Sequence, residues 1–192
     1  MSLAGDNMRS SRAKQRSFWL VTASMVLFGL TLTACQQSAT PLPAFAGGVY
    51  TSAPYHFSIT YPNGWKANAQ SSTSAVVPLT VYITRSDAVN TPGDPISTLS
   101  IAVFNVHDAN IAKSVKSLAT DKTLRTTRLA SLAAYASAPI QQQVPGSTIT
   151  DTHTDYYLVT TDWEYQISTD AISGENADAA LQSMVASFAL TK

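Results

Sequence analysis

Between Tyr55 and Tyr61 the chain alternates: Tyr55, Phe57, Ile59 and Tyr61 are apolar or aromatic, and His56, Ser58 and Thr60 between them are polar. A period of two puts the first set on one face of a β-strand and the second on the other. Pro62-Asn63-Gly64 follows. This triplet suits a sharp turn, because Pro presets φ and Asn and Gly tolerate positive φ. Trp65 is then expected to return over the sheet. The same alternation predicts strands at 79–84, with Leu79, Val81 and Ile83 against Thr80, Tyr82 and Thr84, and at 99–103, with Leu99, Ile101 and Val103 against Ser100 and Ala102. Ser86–Pro95, "SDAVNTPGDP", is rich in turn residues and reads as the loop between them.

Beyond residue 108 the period changes. Asp108 or Asn110 can cap a helix on which Ile111, Val115, Leu118 and Ala119 recur at helical spacing. Thr126–Ala138 is ambiguous, since Leu129, Leu132, Ala133 and Ala136 would also suit a helix. Ile140–Val144 reads as a strand ended by Pro145-Gly146. Thr148–Thr160 and Trp163–Ser168 predict a hairpin through Thr161-Asp162, with Trp163, Tyr165 and Ile167 on one face. A last helix carries Ala177, Leu181, Met184, Val185 and Phe188 on one stripe, with Asp178 placed to suit the helix dipole. Strands, a helix, strands again and a closing helix make an α+β order: a central antiparallel β-sheet flanked by helices.

Two short motifs carry a resemblance. "FSITYPNGW" (57–65) and "MVASF" (184–188) are similar to those of the PsbP-like group, which includes an extrinsic photosystem II subunit, a Ran-binding nuclear transport factor and many bacterial lipoproteins. The resemblance implies a PsbP-like sandwich from about Tyr50 to Leu190, with a strand around "LASLAAYAS" (129–137). It also implies that the turn and Trp65 lock the first strand to the sheet, rather than offering Trp65 as a ligand platform. Some photosystem members bind calcium or manganese, but the shared motifs are structural and transfer no ligand.

The N-terminus changes the picture. Arg9, Arg12, Lys14 and Arg16 precede an uncharged run, Phe18–Leu32, shorter than the ~20 apolar residues of a membrane-spanning helix. The run ends in Leu32-Thr33-Ala34-Cys35, which resembles a bacterial lipobox. The resemblance implies cleavage before Cys35 and a diacylglyceryl thioether on its sulfur. With a further acyl group, two or more chains suffice for stable anchoring. The expected organisation is a signal peptide over 1–34, a lipidated Cys35 and flexible tether over 35–48 ("QQSATPLPAFAGG" from Gln36), and one globular domain over 49–192. The expected location is the outer face of a bacterial membrane. Cys35 is the sole cysteine, so no internal disulfide can form.

Charge excludes some partners. From Cys35 onward there are 8 basic and 11 acidic residues, a net charge of −3 with His neutral, thinly spread. That leaves no footprint for nucleic acid. The most suggestive polar run is "DTHTD", Asp151 to Asp155. On a strand Asp151, His153 and Asp155 share a face at roughly 7 Å intervals, a donor set suited to a divalent metal such as calcium, manganese or zinc. One straight strand cannot converge all three, so a second element would have to contribute. An EF-hand fails, because position six is Tyr156 rather than Gly. No G-x-S-x-G elbow or phosphate-cradling Gly motif is present. Asp162 and Glu164 could pair only as solvated hairpin acids. The chain is therefore expected not to be an enzyme and to need no cofactor. Tyr82, Tyr156, Tyr157 and Trp163 form the candidate surface for a protein partner, of unspecified identity. The expected function is a membrane-anchored, non-catalytic binding or scaffold module. The alternatives are a divalent-metal-binding PsbP-like protein, with or without a photosystem association, and an enzyme on an envelope substrate.

Overall fold

A computed structural model describes residues 45–87 and 95–192. The expected signal peptide, Cys35 and the tether to Ala44 lie outside the described residues. Every described element belongs to one compact unit, Ala39–Lys192. Among the described residues no helix is long and apolar enough to cross a membrane.

Strand β1 (Phe45–Ser52) is followed by β2 (Phe57–Ser71), β3 (Leu79–Arg85) and β4 (Thr98–Asn105). Helix α1 (Ala109–Leu118) leads to β5 (Arg125–Leu129), β6 (Leu132–Ala136) and β7 (Ile140–Gln143). The chain closes with β8 (Thr150–Val159), β9 (Trp163–Ile172), α2 (Asp178–Ser187) and β10 (Ala189–Leu190). The strands form one sheet in the order β1-β2-β3-β4-β9-β8-β6-β5, with β10 paired to β2 and β7 to β8. Every pairing is antiparallel.

One face of this sheet is the core. Alternate residues of the central strands, among them Ile59, Val81, Ile101, Ile167 and Leu158, are fully buried on it. Helix α2 covers that face with Leu181, Met184 and Val185, the stripe expected from the sequence. Removing each such side chain from water contributes about 2 kcal/mol. Phe57 stacks on Phe188 at 5.6 Å, Tyr165 meets both rings edge-on, and its hydroxyl donates to Tyr55 O at 2.8 Å. Ser187 Oγ accepts from Thr60 N at 2.9 Å and donates to Thr60 O at 3.0 Å. The motifs "FSITYPNGW" and "MVASF" thus pack on one another. Helix α1 is capped by Asp108, whose Oδ1 accepts from Asn110 N and Ile111 N, and Leu118 is its one buried residue. The described residues are sheet-dominated, and of their two helices α2 is the one that seals the core.

Several expectations need correction. Pro62-Asn63-Gly64 does not reverse the chain: β2 runs through it as an irregularity. Tyr61 opposes Gly48 and Lys66 opposes Ala46, so five steps along β2 match two along β1, and β2 then passes on to pair with β3 from Trp65. Gly47 makes the close approach possible at φ +70°, since a Cβ there would lie 2.5 Å from Asn63 Oδ1. Trp65 keeps its parity and is buried in the core. β1 starts at Phe45, ahead of the expected domain start at Val49, because its two glycines read as tether. Tyr55 belongs to the β1–β2 turn, and β2 starts at Phe57. The ambiguous 126–138 region is two strands joined at Ala130-Ser131, neither a helix nor a single strand.

Candidate functional site

The sheet's other face is more polar and mostly half-buried. On β8 the odd residues point outward, and pairing with β9 sets His153 opposite Asp170, Asp155 opposite Ser168 and Tyr157 opposite Gln166. His153 Nδ1 donates to Asp170 Oδ1 at 2.6 Å, and Nε2 lies 3.1 Å from Asp155 Oδ2. Both ring nitrogens therefore face carboxylates, an arrangement that favours the imidazolium. Burial alone would lower the His153 pKa, but Asp170 and Asp155 outweigh it and the pKa is raised. Asp155 also accepts from Ser168 Oγ at 2.5 Å and Gln166 Nε2 at 3.2 Å. Burial pushes its carboxyl up, yet these hydrogen bonds and His153 hold it below the usual value. Tyr157, desolvated and beside the Asp155 charge, is pushed up to about 12. Buried Glu164, one step further along the face, is raised by desolvation.

Asp151 departs from this pattern. Its Oδ1 is buried without a hydrogen-bond partner, and desolvation, with the Asp170 charge, raises its pKa. The expected trio is thus only partly assembled. Asp155 and His153 meet each other, Asp170 completes the cluster, and Asp151 stands at its edge. Among the described residues no three His, Cys, Asp or Glu side chains converge in a metal-binding arrangement.

The expected partner surface divides between the two faces. Tyr156 and Trp163 point to the core side, where Tyr156 is buried and Trp163 packs edge-on against Tyr55 at 5.0 Å. Tyr157 is half-buried on the outward face, and Tyr82 is exposed there. Asp162 and Glu164 do not pair either, because Asp162 sits 3.2 Å from His107 at the hairpin tip while Glu164 is buried. Asp170, Ser168 and Gln166 were missed. Their alternation with Tyr165, Ile167 and Thr169 was readable, but nothing in the string shows which β8 residue each opposes. A depression of about 590 Å³ between the β5–β6 turn and the end of α2 is lined by Arg128, Leu129, Val185 and Leu190 among others, with no acid or histidine to do chemistry.

No protein-family model matches the sequence, nor does any curated protein. Among solved structures, a protein from Bacteroides thetaiotaomicron VPI-5482 is similar at TM-score 0.49 and 14% identity, covering 77% of this chain. The match takes in 50% of that protein, so this chain spans about half its length. Cyanobacterial PsbP (CyanoP) from Synechocystis sp. PCC 6803 is similar at TM-score 0.49 and 11% identity, covering 83% of this chain and 98% of its own.

Proposed function

We propose that the chain is an exported lipoprotein with a PsbP-like domain, tethered through acyl chains on Cys35 to the outer face of a bacterial membrane. Its domain is a non-catalytic binding module. One observation carries the binding reading: a wide outward face of polar side chains held in place by one another, beside a core sealed on the opposite side. His153 is committed to two carboxylates, so it is not free to activate a nucleophile. The tether rests on the lipobox-like LTAC. The PsbP-like reading rests on the two motifs, which meet at Phe57 and Phe188.

Capture from solubilised membranes with the full chain is expected to enrich a partner and to lose it with Ser100→Arg, in mid-face. Equal recovery with the variant rejects this face as the binding surface. Mass spectrometry of the native product is expected to find acylated Cys35 as the first residue, and Cys35→Ser is expected to move the protein to the soluble fraction.

A second reading, divalent-cation binding, is favoured by the unpartnered Asp151 Oδ1. A cation there would draw on Asp151 and Asp170, and would reach His153 only by displacing a carboxylate from its ring. Millimolar calcium, manganese or zinc should then raise the melting temperature by mass action, and no change rejects the reading.

A further inference from the structure

The outward face also carries an aromatic ring in the middle of the sheet. Tyr82, on β3, is 38% exposed, the one large apolar side chain to stand so far out on β3, β4, β8 or β9. It lies directly between Asn68 of β2 and Ser100 of β4, and the same row continues through Ser168 of β9 to Asp155 of β8. At about 4.8 Å per strand, this row of five side chains runs roughly 20 Å across the sheet.

Charge decides what can lie along it. The cations of the central strands' outward face are Lys66 and His153, and His153 is enclosed by Asp155 and Asp170. A polyanion or an anionic lipid surface would therefore meet more carboxylate than cation. An apolar chain would find one ring among amides and hydroxyls and leave them without partners. The amide of Asn68 and the hydroxyl of Ser100 both donate to and accept from neutral hydroxyl groups, while the ionised Asp155 carboxylate only accepts. The apolar face of Tyr82 suits the C–H face of a sugar ring.

We propose that this row binds an uncharged saccharide chain. Tyr82 stacks on one pyranose ring, Asn68 and Ser100 exchange hydrogen bonds with hydroxyls of that unit and its neighbours, and Asp155 accepts from one. The proposal rests on reading this face as a binding surface and supplies its ligand class.

Calorimetric titration of the full chain in mild detergent against hexamers of β-1,4-linked glucose and of β-1,4-linked N-acetylglucosamine tests it. A lysine-rich peptide and anionic vesicles serve as competing ligand classes. At least one hexamer is expected to bind, with Tyr82→Ala weakening it about tenfold and Tyr82→Phe leaving it nearly unchanged. Tyr82 is exposed, so both variants are expected to fold, and wild-type melting temperatures check this. Binding of neither hexamer, or equal affinity for Tyr82→Ala, overturns the proposal. Peptide or vesicle binding that depends on Tyr82, with both hexamers silent, overturns the saccharide assignment while leaving the binding module standing. Loss of partner capture by Ser100→Arg would still be read separately.

Discussion

His153 shares its two protons between two carboxylates, so the cluster stabilises the fold only within a band of pH. Its raised pKa makes its contribution complete below the unfolded histidine value of about 6.5 and lost as pH climbs through the folded value. The lowered pKa of Asp155 acts in the opposite sense. That contribution is complete above the unfolded value near 3.9 and lost as pH falls through the folded one. Both contributions are therefore complete from about pH 4 to 6.5 and fade outside that range as pH passes the folded values. His153→Gln is expected to cost about 1.5 kcal/mol at pH 5.5, on the scale of a charge-assisted hydrogen bond. Urea unfolding at pH 5.5 and 9 should show that gap shrinking at the higher pH; a gap that widens contradicts the assignment. Ser97 makes a second residue-level case. It is fully buried, its Oγ accepts from Ile172 N at 2.9 Å, and its own N–H donates to Glu175 Oε2 at 2.8 Å. Ser97→Ala strands the Ile172 N–H and should cost about 1–3 kcal/mol in chemical denaturation. Asp155 is legible as a neighbour on the same strand face, but Asp170 lies 17 residues from His153 and Ile172 lies 75 from Ser97, so neither of those contacts can be read from the string.

At the scale of elements, the β5–β6 hairpin turns on Ala130 and Ser131, at φ 49° and 66°. Two-residue hairpin turns with positive φ at both positions favour Asn-Gly, and β-carbons there are strained. Replacing Ala130-Ser131 by Asn-Gly is expected to stabilise the protein by about 1–2 kcal/mol, read as a higher urea midpoint at unchanged slope. A lower midpoint would show that the turn residues make a compensating contact. The same turn explains why the segment was hard to read. Its Leu and Ala spacing also fits a helix, and the usual turn signal is missing. Tyr135 opposite Tyr157 and Ala136 opposite Tyr156 decide for the strand. The capped α1, by contrast, was readable because Asp108 and the apolar stripe are local signals.

Across the whole molecule, stability depends on a few rings joining the two ends of the domain. Phe57 contacts Tyr50, Tyr165 and Phe188, which come from β1, β9 and the residue after α2. Phe57→Ala should cost about 3–5 kcal/mol, a large share of the 5–15 kcal/mol that holds a typical domain together. Loss of a cooperative thermal transition is the expected readout, and a melting temperature within a few degrees of wild type would refute it. Among the described residues, periodicity alone determined most strands, both helices and which residues face the core, because burial acts on every second residue of a strand and on one stripe of a helix. The passage of β2 through Pro62-Asn63-Gly64 and the addition of Asp170 to His153 and Asp155 were decided only by tertiary structure. These features depend on register between strands, and register is set by pairing energies summed over residues far apart in the chain.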